Sequence, residues 1–234
     1  MEKITEITAV IFDYLQVKMK IMGIDADRRS FAEIHEILNK NTTLSPEEFA
    51  YECFYVVCVA GFKQDYAKVI CNKIIDIINK NQNFTEQNLL NVYKNKGKVK
   101  AIKNIWDNRE SYSQTLYSFK TVEEKVNFLG TLPYIGNITK HHLARNLGLN
   151  FVKYDIWIQR LGVALYGTYE FVDKVNNTKL LPEIKYFCDL MFKKIHEETG
   201  EKVGFIDVVL WRACQKGLIK IDGKNVFLNK KIQR

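Results

Sequence analysis

Long uninterrupted apolar runs are missing from this 234-residue sequence. A helix that crosses a membrane needs roughly 18 or more consecutive apolar residues. No stretch here approaches that length, so no membrane role is expected. The N-terminal MEKITEITAV also lacks the basic-then-apolar order of a secretory signal. The expectation is an intracellular protein, cytoplasmic or on the nucleoid. Cysteine is scarce as well: Cys53, Cys58, Cys71, Cys188 and Cys214 make an odd five, with no CxxC pair and with apolar surroundings such as YECFYVVCVAG. The four histidines are not at ligand spacing with them, so zinc and iron–sulfur readings fail and no metal site is expected. The cysteines read as buried, reduced thiols.

Only three prolines and twelve glycines punctuate the chain, and the apolar spacing between them is mostly helical. The fold class that follows is all-α. Ser45-Pro46-Glu47-Glu48 places a capping Ser, a Pro at the first helical position and a Glu at the third, which together satisfy the orphan amides of a helix start. The helix behind it, EEFAYECFYVVCVAGF, is apolar nearly all round and belongs in the middle of a bundle. Further helices are expected over 3–21, 28–39, 65–79, 86–94, 97–108, 121–129, 138–147, 155–165, 168–176, 183–198 and 204–216. The tail breaks the pattern. Ile219 and Ile221 alternate with lysines up to Asp222-Gly223, read as a two-residue turn, and Val226 and Leu228 alternate beyond it, predicting a small C-terminal β-hairpin.

Acidic residues are the minority sign, 27 Asp and Glu against 35 Lys and Arg, for a net charge of +8. Such an excess favours a polyanionic partner, because clustered Lys and Arg displace counterions from phosphates. Composition does not report clustering, so solubility alone explains the charge equally well.

The stretch that carries chemistry is Thr121 to Leu161, TVEEKVNFLGTLPYIGNITKHHLARNLGLNFVKYDIWIQRL. Thr121 with Glu124 forms a second capping box, and Gly130 reads as a left-handed cap that ends the helix. Leu132-Pro133-Tyr134-Ile135-Gly136 follows, and another helix starts at once near Asn137 or Thr139. Two helices joined by so tight a turn expose backbone amides at a helix N-terminus, where a phosphate binds without needing any particular side chain. A side chain at Gly136 would hold that phosphate away. Asp155 stands about twenty residues on, at the start of the next helix, and reads by itself as an N-cap.

These residues resemble the helix-hairpin-helix DNA glycosylases, the superfamily of endonuclease III and the 8-oxoguanine glycosylases. Leu132, Pro133, Ile135, Gly136 and Thr139 stand in the places of that family's hairpin, and Asp155 occupies the position of its catalytic aspartate. Weaker similarity extends over 45–165, through GKVKAIKNIW and VAGFKQDYAKV. The resemblance implies a two-lobed fold with a base pocket between lobes: residues 45–165 as the central lobe with the hairpin at 121–148, and 1–44 plus 166–234 as the second lobe. It implies a monomeric enzyme that acts on double-stranded DNA, with Pro133, Ile135, Gly136, Ile138, Thr139 and Lys140 along the DNA backbone and Asp155 driving hydrolysis of an N-glycosidic bond. No cofactor is implied beyond a monovalent cation at the hairpin carbonyls. Phe62, Lys63 and Gln64 fall at the position that fills the gap left by a flipped base, although Phe62 equally suits a core cap.

One departure bears on mechanism. Members that also cut the DNA backbone carry a Lys two residues after the hairpin glycine, where this chain has Ile138. On a helix two residues rotate a side chain by about 200°, so Lys140 should point elsewhere. A monofunctional hydrolase is therefore expected. The alternatives are a bifunctional glycosylase/lyase using Lys140, or a non-catalytic helix-hairpin-helix DNA-binding protein. His141 and His142 could contact phosphate or be packed. Trp157 and Trp211 could line a base pocket or fill the core, and Asp207 could pair with Arg212 or a backbone group. The sequence does not name the lesion.

Overall fold

The structure, a computed structural model, describes residues 1–26, 29–40, 43–62, 64–80, 84–137, 139–176 and 179–231. In chain order the elements begin with β1 (Glu2–Ile4), α1 (Ala9–Ile21), α2 (Phe31–Lys40), α3 (Pro46–Val59), α4 (Gln64–Asn79), α5 (Glu86–Val92) and α6 (Lys96–Asp107). They continue with α7 (Arg109–Ser118), α8 (Val122–Leu129), α9 (Thr139–Asn146), α10 (Ile156–Tyr166) and a 3₁₀ turn (Tyr169–Lys174). The chain ends in α11 (Pro182–Thr199), α12 (Val203–Gln215), β2 (Ile219–Asp222) and β3 (Asn225–Leu228). None of the described helices is long and apolar enough to cross a membrane. All five cysteines are buried free thiols.

The chain divides into two compact units, Met1–Lys40 with Asn150–Arg234, and Asn41–Leu149. In the second, α3 is the central helix, packed by α4, α6, α7 and α9. Its capping box forms as expected, with the Ser45 hydroxyl accepting from Glu48 N and the Glu48 carboxylate accepting from Ser45 N. Phe49, Ala50, Cys53, Phe54, Val56 and Val57 are wholly buried, which is what an all-round apolar helix requires.

The discontinuous unit packs α1, α10, α11 and α12 around Phe12, Leu15, Leu161, Met191, Phe205 and Ile206. Residues 150–165, expected with the hairpin, belong here instead. The reason is α10, whose Ile158, Leu161, Val163 and Ala164 join this core. Where α10 meets α11 the backbones nearly touch: a Cβ on Gly162 would lie 2.7 Å from Cys188 Sγ and 3.0 Å from Cys188 Cα and N.

Three local expectations are corrected. The N-terminal helix starts at Ala9, where Thr8 first offers a cap, and residues 2–4 form a strand pairing with β3 (Glu2↔Leu228, Ile4↔Val226). The sheet is therefore three-stranded, ordered β1-β3-β2. Its tight turn is Gly223-Lys224, because Asp222 still pairs with Asn225, and Gly223 takes the positive φ of +54° that the first turn position requires. Finally α7, RESYSQTLYS, buries only Ser113 and Leu116, too few apolar positions to have been seen as a helix.

Candidate functional site

The hairpin is built within the unit Asn41–Leu149. Thr121 and Glu124 cap α8 reciprocally. Gly130 then closes the helix with φ −69°, so it is not the left-handed cap expected. Space is tight there: a Cβ would come 3.0 Å from Lys140 Cδ and 3.2 Å from Asn127 O. The left-handed residue is Tyr134, at φ +66°. Leu132 and Ile135 are buried and tie the turn to the core, with Ile135 N donating to Leu132 O at 3.0 Å. Pro133 is half-buried beside them.

Gly136 and Asn137 are exposed, and a Cβ on Gly136 would meet nothing within 4 Å. The Gly136 amide already donates to Thr139 Oγ1 at 2.8 Å, and Lys140 N donates to Gly136 O at 2.9 Å. The backbone here is an open surface whose own amide at 136 is spoken for by Thr139. The carbonyls of Leu132 and Gly136 accept within the turn, from Ile135 N and Lys140 N. No metal-holding cluster of His, Cys, Asp and Glu occurs among the described residues. Lys140 folds back over α8, its Nζ 3.4 Å from Asn127 Oδ1. His142 packs edge-on against Tyr55 of α3 at 5.9 Å, the packed alternative for that residue. Ile138 and Lys63, and the side chain of Gln64, lie outside the described residues.

Asp155 belongs to the other unit, as the N-cap of α10. Its Oδ1 accepts from Trp157 N at 3.0 Å and Ile158 N at 3.2 Å, while Oδ2 lies 3.9 Å from Lys153 Nζ. Two amides and the helix dipole fix one oxygen, and an ammonium flanks the other. The capping contacts thus fall on one oxygen of the carboxylate and the ammonium lies by the other. Beside it Tyr154 donates to Asp189 at 2.5 Å, and Lys185 pairs with the same carboxylate at 2.7 Å. Burial pushes the Cys188 and Cys214 thiols up, and the Asp155 charge adds to the shift of both.

Trp211 is half-buried with Lys153 Nζ 6.0 Å from its ring, so one lysine faces both the indole and Asp155. Trp157 is also half-buried, with the Arg160 guanidinium 5.8 Å from its ring. Asp207 is buried on α12. Arg212 does not turn to it. Its guanidinium donates to Ile24 O at 2.8 Å, to Ala26 O and to Gln215.

Sequence reasoning passed over Lys98, which is 2% exposed and donates to the carbonyls of Cys58 (3.3 Å) and Ala60 (2.5 Å) at the end of α3. The signal was present, since Lys98 shares a face of α6 with the buried Ala101, Ile102 and Ile105. Its Nζ lies 4.4 Å from the ring of Phe62, which is 43% exposed.

No protein-family model matches the sequence, and no curated protein matches it. Solved structures do. An 8-oxoguanine DNA glycosylase of Methanocaldococcus jannaschii superposes with a TM-score of 0.61 at 20% identity, over 91% of this chain and 95% of that one. The 8-oxoguanine glycosylase/lyase of the same organism, in complex with a 15mer DNA containing 8-oxoguanine, gives 0.59 at 19%, over 90% and 100%. The 8-oxoguanine DNA glycosylase of Thermotoga maritima gives 0.55 at 17%, over 92% and 97%. At such identities the likeness is one of fold, and this chain has the fold of the 8-oxoguanine DNA glycosylases.

Proposed function

We propose that the protein is a DNA N-glycosylase of base excision repair, in which the exposed backbone around Gly136 anchors a phosphate and Asp155 drives hydrolysis of the bond to a flipped-out base. The observation that carries this reading is the Asp155 carboxylate, fixed through Oδ1 and flanked by Lys153 at Oδ2, on a chain with the fold of DNA glycosylases. Breaking an N-glycosidic bond builds positive charge on the sugar. A preorganised carboxylate stabilises that charge and orients or deprotonates the attacking water. Oxidised guanine heads the lesions to test, since the three neighbours act on 8-oxoguanine.

We infer further that the enzyme is monofunctional, because a hydrocarbon, Ile138, stands where the lyases place their amine. The expected product is an abasic strand with its backbone intact, and borohydride treatment of enzyme with 8-oxoguanine duplex should trap no covalent adduct on a denaturing gel. A trapped adduct would make the protein a lyase. Lys153, 3.9 Å from Asp155, would then be the first amine to replace, ahead of Lys140, which is folded onto α8.

The anchor has its own test. Gly136→Ala should leave the melting temperature unchanged, since its φ is not left-handed and its Cβ would find open space. Affinity, read by fluorescence anisotropy at fixed salt, should fall alike for every DNA sequence, because a phosphate contact carries no base information. A loss confined to one lesion would argue against the anchor. Binding without base release from any lesion-bearing duplex would leave a DNA-binding module in place of an enzyme.

A further inference from the structure

We propose that the outer face of α1 is an interface between two copies of this chain, which meet there as an antiparallel helix pair. The inference is independent of the DNA-repair reading above, and it replaces the monomer that the family resemblance implies. It starts from a helix that is apolar on both sides. A surface helix ordinarily buries one apolar stripe and turns polar and charged residues to water. In α1 the inward stripe is Phe12, Leu15 and Met19, all wholly buried. Yet Val10, Val17 and Ile21 stand on the outside, 79%, 58% and 63% exposed.

The outward residues have the spacing of a helix seam. Val10, Tyr14, Val17 and Ile21 follow one another at intervals of four, three and four, the alternation that keeps one line of side chains facing a second helix. Tyr14 is half-buried against the core, and its remaining surface continues the line between Val10 and Val17. Three exposed β-branched side chains in a row make an apolar strip that water disfavours. Such side chains are already stiff at χ1, so ordering them against a partner costs little entropy.

The charges beside the strip select its occupant. Asp13 and Lys20 lie along one flank, and Ile11 and Lys18 along the other. Asp13 and Lys20 are both exposed, and among the described residues neither makes an ion pair; the Asp13 carboxylate accepts from Gln16 at 3.5 Å. When a second copy runs antiparallel, with Val10 opposite Ile21 and Tyr14 opposite Val17, Asp13 comes beside Lys20 of the second copy. Two-fold symmetry repeats that pair, so each interface holds it twice. On the other flank Lys18 lays its aliphatic stem over Ile11 of the second copy. The antiparallel sense also sets the two helix dipoles head to tail, whereas a parallel pair would bring like ends together. The strip thus complements itself in shape and in charge, which is what an interface between identical chains requires.

One helix of 13 residues spans about 20 Å, which places the contact at the small end of interface size. The dimer should therefore be weak, with a Kd on the order of 10 μM. Sedimentation equilibrium of the full chain between about 1 and 100 μM should show the mass rising from 27.4 kDa toward twice that value. Val17→Glu sets a carboxylate in the middle of the strip and should weaken association at least about 10-fold. Its melting temperature should stay within about 2 °C of the unaltered protein, because the residue is exposed. Asp13→Lys and Lys20→Asp should each weaken association roughly 3- to 10-fold, and the two combined in one chain should restore it, since the pairs re-form with their signs exchanged. A mass of 27.4 kDa at every concentration would overturn the proposal and leave the strip to a different partner. A dimer that Val17→Glu does not weaken would use another surface and overturn it as well. Losses in both single reversals without recovery in the combined variant would overturn the antiparallel pairing. None of these outcomes bears on Asp155 or on the hairpin.

Discussion

Replacing Asp155 by Asn should reduce base release from a lesion-bearing duplex by at least about 10²- to 10³-fold, the range seen when one preorganised electrostatic group is taken from a transition state. DNA affinity should stay within about twofold, since phosphate contacts dominate binding. Asn is chosen because the fold should not notice it. An amide oxygen can accept from Trp157 N and Ile158 N as Oδ1 does now, and Asn caps helices as well as Asp. Asp155→Ala makes the contrast, since it removes the cap as well and should cost about 1 kcal/mol of stability. Single-turnover rates on a labelled duplex, followed by alkali cleavage, measure the first effect, and thermal unfolding measures the second. Turnover that survives in the Asn variant would reduce Asp155 to a helix cap.

The largest effect on stability should come from Gly162→Ala. An added methyl would sit 2.7 Å from Cys188 Sγ and 3.0 Å from Cys188 Cα and N. Because two of those three atoms are backbone, the helices α10 and α11 must separate, and overpacking of this kind costs about 1–3 kcal/mol, sometimes more. In a chain of this length that lowers the melting temperature by roughly 2–12 °C. Adding Cys188→Ala should restore only part of the loss, since it removes Sγ and leaves the backbone in place. Full restoration would mean that the sulfur alone sets the spacing. Since α10 carries Asp155 at its cap, base release should fall along with stability in Gly162→Ala and recover to the same partial extent in the double variant.

What was legible in the sequence was what short segments decide for themselves. Ser45-Pro46-Glu47-Glu48 and Thr121 with Glu124 specify helix starts within four residues, and both boxes form. The Leu132-to-Gly136 turn could be read because Gly130, Pro133 and Gly136 fall together between one helix and the start of the next. Asp155 could be read as a cap from its place alone, whereas its flanking by Lys153 is a matter of side-chain geometry. The features missed depend on distant partners. Strand β1 exists because β3 offers it an edge, Lys98 is buried because α3 ends beside it, and Gly130 is crowded by a lysine ten residues on. The strain at Tyr134 lay hidden for another reason: nothing in the letters LPYIG says which of the five carries the positive φ.

The pairing of residues 2–4 with 226–228 also sets an order of events during synthesis. Residues 2–4 must wait for their partner until residues 226–228 have been made, while the unit Asn41–Leu149 has every one of its contacting segments in hand long before. Domains fold as units, N-terminal material first. A growing chain therefore completes the unit that bears the Leu132-to-Gly136 turn before it completes the unit that bears Asp155. On the proposed function, nascent or C-terminally shortened chains would be able to grip a duplex while still lacking the means to act on it.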